Sequence, residues 1–170
     1  MLLQFFHANP LKETAYICSP LKADDPKQYL KNLYAARAYM YYVKTQIGYL
    51  ARAPHGYLPL LLDDFDPRQR SLALQFGKAL LEASDVVLIC GNRLSKGMES
   101  ELKCAAAGRK KILVYDKGLY CRVESILQND GLSSSPPVFV EGHPVLAHPY
   151  PQLAFRESRS FSETLLTAGQ

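Results

Sequence analysis

The chain has 170 residues, 48% hydrophobic and 21% charged, with a formal net charge of +4. That is the size of one ordinary folded domain with enough apolar content for a core. No run of about eighteen apolar residues is present to span a bilayer. The basic residues are scattered apart from Arg109–Lys111, which argues against a nucleic-acid polymer as partner.

The four cysteines (Cys18, Cys90, Cys104, Cys121) show no CxxC spacing and read as free thiols of a reducing compartment. The histidine spacing does not match a zinc site, so no metal is expected. The opening MLLQFFHANP has no basic n-region and no long apolar h-region before Pro10. No secretory signal is expected, and a cytoplasmic location is.

Residues 1–13 read as a leader. TAYIC, Thr14 to Cys18, has strand composition, and Ser19 and Pro20 end it. Asp25 followed by Pro26 is a helix start, since Asp can cap and Pro suits the first helical position. A helix is predicted over 26–47, with Tyr29, Leu33, Ala36, Met40, Val43 and Ile47 toward the sheet and Gly48 as its stop. Tyr34, Tyr41 and Tyr42 read as boundary packing, not as a base-stacking platform. A weaker strand follows over 49–53. Pro54 and Gly56 then break the chain where a parallel strand delivers a ligand loop, which makes His55 and Tyr57 pocket candidates. Asp63, Asp64 and Asp66 suit a solvated cap; the functional alternative is that one accepts from a ligand hydroxyl or orients Arg70. A second helix is predicted over 67–83, with Leu72, Phe76, Leu80 and Ala83 as its buried stripe. Gly77 inside it signals close packing.

The most informative stretch is SDVVLICGNRLSKGMESELKCAAAGRKKILVY, residues 84–115. It reads as a strand over 85–90, a polar loop over 91–96, a helix over 98–107 capped by Gly108, and a strand over 111–115. Two such strands around one helix make a right-handed parallel βαβ unit. Gly97, at the loop's end, is where a close or left-handed backbone path is expected. Ligands of open parallel sheets bind beyond the carboxyl ends of the strands. The loop with Asn92, Ser95, Lys96 and Gly97 is therefore an expected site edge, suited to an anion through its backbone N–H groups. Glu101 is the carboxylate expected to face the crevice; the plain alternative is an acid favoured by the helix dipole.

A fourth helix over 119–128, the loop SSSPP and a short strand over 138–140 complete a domain spanning 14–141. Residues 142–170 read as a peripheral C-terminal tail with a short helix over 161–166. The alternation gives an α/β sandwich with a mostly parallel sheet of roughly four or five strands. There is no GxGxxG, GxxxxGK[ST] or GxSxG motif, so dinucleotide, P-loop and hydrolase-elbow readings lack support, and no cofactor is expected. Tyr16, His55 and Glu101 all fall near strand ends and can meet in one crevice. A carboxylate beside a tyrosine hydroxyl suits nucleophilic or general-base work, including direct attack at a sugar anomeric carbon.

YICSP, Tyr16 to Pro20, and the 84–115 stretch resemble the nucleoside 2-deoxyribosyltransferase superfamily. The pairing of Ala53–Pro54–His55, Leu62–Asp63–Asp64, Pro67 and Arg70 with Ser95, Gly97, Met98 and Glu101 resembles an uncharacterised branch of it, the DUF4406-like and DUF7768-like proteins. The resemblance covers residues 14 to 116. It implies a flavodoxin-like or Rossmann-like three-layer sandwich around a sheet of five strands. It also implies cleavage of the N-glycosidic bond of a nucleoside or nucleotide, by hydrolysis or transfer, and assembly as a homo-oligomer. Glu101 matches the nucleophile that attacks C1′, and Tyr16 the tyrosine that orients it. Ser95 and Gly97 lie in the loop that handles sugar or 5′-phosphate. Ser19, Pro20, His55, Asp63, Asp64, Arg70, Asn92, Lys96 and Met98 complete the expected substrate-binding set. Two departures stand out. The aspartate that active members carry in the helix before the third strand is Gly77 here. A glycine expected after the glutamate is Lys103. Asp85 is retained but sits at a strand start, so Asp63 or Asp64 is the candidate replacement. The alternative function is a non-catalytic module that binds or senses a nucleotide or nucleoside derivative.

Overall fold

The computed structural model describes residues 13–132 and 136–148. Strand β1 (Thr14–Cys18) is the apolar TAYIC segment, and Ala15 to Cys18 are fully buried. It lies between β2 (Leu50–Arg52) and β3 (Val86–Ile89), with β4 (Lys111–Val114) and β5 (Val138–Phe139) beyond. The sheet order is β2-β1-β3-β4-β5 and every pair is parallel. This is the flavodoxin-like order, in which the chain reverses direction across the sheet between β1 and β3.

Helix α1 (Pro26–Tyr42) continues through a π-helical turn (Val43–Ile47) and stops at Gly48, whose φ is 94°. Together with α5 (Pro144–Ala147) it covers the face that carries Ala15, Ile17, Val86 and Leu88. Helices α2 (Pro67–Glu82), α3 (Lys96–Ala107) and α4 (Lys117–Asn129) cover the other face. The result is a three-layer α/β sandwich, as the alternation of elements predicts. The four long helices open on polar caps: Asp25 accepts from Lys27 N, Asp66 from Arg68 N, Ser95 from Met98 N and Asp116 from Leu119 N. Each satisfies a first-turn donor that the helix cannot satisfy itself.

Several boundaries and faces differ from the sequence expectation. On the first helix Leu33, Ala36 and Val43 are buried as expected and Met40 and Ile47 pack partly buried against the same cluster, while Asn32 and Tyr39 are buried as well and Tyr29 is only half-buried. The Asn32 amide donates to Leu21 O at 2.9 Å, which ties that face to the preceding loop. On α2 the inward residues are Gly77 and Leu81, while Leu72, Phe76 and Ala83 are exposed. Of the predicted stripe only Leu80 packs against the core; Gly77 is the α2 position that faces Tyr16 and Pro54. Helix α3 starts at Lys96 because Ser95 caps it, so Gly97 is helical. The left-handed residue of that loop is Gly91, with φ 93°. Its N–H donates to Leu146 O at 2.7 Å, and a Cβ there would stand 3.4 Å from Pro20 Cδ. At the far end of α3 the left-handed position is Arg109, φ 53°, and not Gly108.

Leu58 to Leu62 resolves into a 3₁₀ turn (Leu58–Leu60) after another at Pro54–Gly56. Of the tail expected from residue 142, the described part includes α5, whose Leu146 is fully buried. The expected helix over 161–166 and residues 1–12 lie outside the described residues. Among the described residues, no helix is long and apolar enough to cross a membrane. The inverted packing of α2 is directly measurable. Leu81→Ala should destabilise by about 2–5 kcal/mol, whereas Leu74→Ala should stay within about 0.5 kcal/mol. Equal losses in denaturant unfolding would mean that the faces are assigned wrongly.

Candidate active site

The crevice where chain direction reverses lies beyond the carboxyl ends of β1 and β3, the place where open parallel sheets hold ligands. Tyr16 and Cys18 are two apart on β1, so both side chains point to the α2–α3 side. The Tyr16 hydroxyl donates to Glu101 Oε1 at 2.9 Å. Glu101 reaches it from the second turn of α3. His55 Nε2 stands 3.4 Å from the same oxygen, brought there by the Pro54–Gly56 turn. That turn is fastened to α1 by Arg37, whose Nε donates to Gly56 O at 2.6 Å. A Cβ at residue 56 would meet Arg37 Cγ at 3.1 Å, which explains the glycine.

The electrostatics of this cluster favour one set of protonation states. Burial, and then the Glu101 charge, push the Tyr16 hydroxyl far above the usual phenol range. Tyr16 is thus a permanent donor at any physiological pH. Burial and the same carboxylate also raise Cys18 well above the usual thiol range, so it stays a thiol and is no nucleophile. Cys18 Sγ lies 3.9 Å from Met98 O. Glu101 Oε2 is buried without a hydrogen-bond partner, and so is Ser19 Oγ. Buried polar atoms of native proteins normally have partners, and these two, like Arg37 Nη2, have none among the described residues.

Of the residues singled out from sequence, Tyr16, His55 and Glu101 come together. Ser19 follows β1 and is 1% exposed, and Pro20 is buried against Gly91. Ser95 is spent as the α3 cap. Asn92, Lys96 and Gly97 are exposed along the loop and first turn of α3. The Met98 side chain belongs to the core between sheet and helices, not to a pocket wall; its place one turn before Leu102 puts it on the sheet-facing side of α3. Asp64 pairs with Arg70 at 3.0 Å. Asp63 is exposed; its Oδ1 accepts from Phe65 N and its own N–H donates to Gln69 Oε1. Both aspartates are thus engaged in holding the loop before α2. Lys103 points away, pairing with Asp130 at 2.6 Å. Asp85 accepts from Thr14 N and Oγ1 at 2.7 and 2.8 Å, at the amino end of the sheet and away from the crevice.

Sequence reasoning missed Cys18 and Arg37 as members of the site's surroundings. The strand alternation that pairs Tyr16 with Cys18 could have found the first; nothing local marks the second. At Gly77 a Cβ would stand 3.7 Å from Tyr16 Oη and 3.9 Å from Pro54 Cγ, ordinary contact distances. An aspartate there would bring a carboxylate against Tyr16. Among the described residues no group of three or more His, Cys, Asp or Glu could hold a metal ion.

Gly77→Ala should therefore stabilise the fold by up to about 1 kcal/mol through helix propensity, measured by thermal or denaturant unfolding. A loss of more than that amount would show that the site has no room for a methyl group. The raised Tyr16 fixes a second outcome. Its native-state value lies above the unfolded one, so the associated stability is complete below about pH 10 and is lost as pH rises further. Tyr16→Phe should lose less stability per pH unit above about pH 10 than the wild type, by up to ~1.4 kcal/mol. Parallel alkaline profiles would contradict the burial-driven shift.

No curated protein matches the chain. A family described as a domain of unknown function, DUF7768, matches residues 13–115, which span β1 through β4 with Tyr16, His55 and Glu101 among them. The chain belongs to the DUF7768 family.

Proposed function

We propose that the protein cleaves the N-glycosidic bond of a nucleoside or nucleotide, as a member of the wider nucleoside 2-deoxyribosyltransferase superfamily, with Glu101 as nucleophile. The observation that carries this reading is the asymmetry of the Glu101 carboxylate. Oε1 is engaged by Tyr16 at 2.9 Å, with His55 at 3.4 Å, and Oε2 is buried and unpartnered. A fixed carboxylate with one free oxygen is what attack at an anomeric carbon requires. In the first step Oε2 bonds to C1′ and the bond from C1′ to the base nitrogen breaks; the base leaves with a proton drawn from solvent. In the second, water or an acceptor base attacks C1′, loses a proton to solvent, and frees the carboxylate. Tyr16 orients Glu101 throughout. Ser19 and the loop with Asn92, Ser95, Lys96 and Gly97 line the sugar or phosphate side, and His55, Asp64 and Arg70 the opposite wall.

A second reading is a module that binds or senses the nucleotide without turning it over. Gly77 favours it: this buried position on α2 faces Tyr16 and supplies no acid. Asp63 and Asp64 are tied up in their own loop, which weakens both as replacements.

The two readings separate in one assay. The protein is incubated with ribo- and deoxyribonucleosides and their monophosphates, with and without an acceptor base, and free base is measured. The first reading expects release that falls to background in Glu101→Ala and Glu101→Gln, with the fold retained by circular dichroism. Undiminished release in those variants removes Glu101 as nucleophile. Saturable nucleotide binding with no release by the wild type establishes the second reading instead.

A further inference from the structure

The reaction proposed above leaves the source of one proton open. A base that departs from C1′ as an anion is a poor leaving group, and a proton delivered to one of its ring nitrogens removes that charge. Most protic groups around Glu101 are unable to deliver it. Burial and the Glu101 charge hold Tyr16 as a phenol, and its hydrogen is directed at Glu101 Oε1. The same two causes hold Cys18 as a thiol. Burial raises the Tyr57 phenol as well. On α2 the position that faces Tyr16 is Gly77, which has no proton to give. Asp64 is paired with Arg70, and Asp63 Oδ1 accepts from Phe65 N. His55 differs from all of these. Its side chain keeps 23% of its surface exposed, so it exchanges protons with solvent. Its Nε2 stands 3.4 Å from Glu101 Oε1, the oxygen that Tyr16 also engages. The imidazole therefore flanks the carboxylate on the side that does not attack. Histidine is also the side chain that both gives and takes a proton near neutral pH.

We propose that His55 is the general acid and base of this site: as imidazolium it protonates the departing base, and as neutral imidazole it takes the proton of the incoming nucleophile. This rests on the reading of Glu101 as nucleophile. In the first half-reaction Oε2 bonds to C1′ and the bond from C1′ to the base nitrogen breaks. The electron pair of that bond stays with the base, and the His55 proton passes to a base nitrogen. In the second, water or an acceptor base attacks C1′ and gives its proton to His55, while the bond from C1′ to Oε2 breaks and returns the carboxylate. Imidazolium is regenerated, so the protons balance over one cycle. The pairing with Glu101 suits this sequence. The charged carboxylate attracts the imidazolium before attack, and bonding of Oε2 to the sugar removes that attraction as the base departs. The fold holds the imidazole from both sides of its turn. Arg37 Nε donates to Gly56 O at 2.6 Å, which docks the residue after His55 on α1. Pro54, the residue before it, is buried and faces α2 at Gly77. The charged and titratable groups that surround the turn are thus Glu101 from α3, Tyr16 from β1 and Arg37 from α1.

The test uses the full chain and two kinds of leaving group. Single-turnover release of free base, which isolates the first half-reaction, is measured for purine nucleosides and their monophosphates. It is then measured for the same compounds methylated at N7, whose base is already cationic and departs neutral without a proton. His55→Gln should slow release from the unmodified compounds by about a hundredfold or more, and from the methylated ones by less than about tenfold. Activity retained on the methylated compounds also shows that the variant is folded. In the wild type, release from the unmodified compounds should decline as rising pH removes the imidazolium, and that limb should be missing in His55→Gln. Equal losses on both kinds of compound, or a declining limb that persists in the variant, would overturn the assignment of His55. Glu101→Ala separates this outcome from failure of the underlying reading. Release that is lost in Glu101→Ala but undiminished in His55→Gln removes the acid alone. Release that survives Glu101→Ala, or a wild type that frees no base from either kind of compound, removes the nucleophile and the proposal with it.

Discussion

A hydroxyl placed in a core must find a partner, and the fold depends on how Tyr16 meets that requirement. Tyr16 sits on the central strand, has no exposed surface, and points into the layer between sheet and helices. An unpartnered hydroxyl there would cost about 1–3 kcal/mol. Glu101 supplies the acceptor, which fixes how α3 lies on the sheet and which of its faces turns inward. Met98, Leu102, Ala105 and Ala106 follow as the buried side of that helix. The same contact leaves a carboxylate half-buried with one oxygen unused. Structural need and chemical opportunity thus arise from a single hydrogen bond.

The bulk of the tyrosine ring has a second effect, on α2. Helix α2 crosses over Tyr16 and Pro54 at Gly77, where even a Cβ would stand at ordinary contact distance. Its buried residues are Gly77 and Leu81, with Leu80 packed against the core, while Leu72, Leu74 and Phe76 are turned to the other side. A periodicity argument detects that such residues share a face. It has no means of knowing that the sheet side is already filled.

The third layer of control is the tying of loops. The Pro54–Gly56 turn that carries His55 is held to α1 by Arg37. The loop before α2 is held by the Asp64–Arg70 pair and by Gln69. Gly91, at the start of the loop after β3, is held by the carbonyl of Leu146. His143 packs edge-on against Tyr42 and Tyr115, and so anchors the segment that delivers Leu146. This last tether lies beyond the residues matched by the family, yet it reaches the loop at the rim of the crevice. The Arg37–Gly56 and Gly91–Leu146 ties join segments separated in sequence, whereas the Asp64–Arg70 and Asp63–Gln69 ties are local to the loop before α2.

What the sequence determined is whatever short-range chemistry controls. Strand composition located β1, β3 and β4 nearly to the residue, because buried parallel strands need continuous β-branched and aliphatic runs. Asp25 and Pro26 announced a helix start through capping and fixed backbone angle; Asp66 does the same for α2. That Tyr16, His55 and Glu101 lie together was legible too, from the rule that loops at carboxyl strand ends converge. Tertiary structure decided the rest. It chose which side of α2 is buried, Gly77 and Leu81 and not Leu72 and Phe76, since that depends on contacts with segments far away in sequence. It sent Met98 to the core and bound Asp63 and Asp64 into their own loop, since helix phase and salt-bridge geometry are set by contacts that spacing does not encode. It also placed the left-handed residue at Gly91 and not at Gly97, because the partner of the Gly91 amide is a carbonyl contributed by α5.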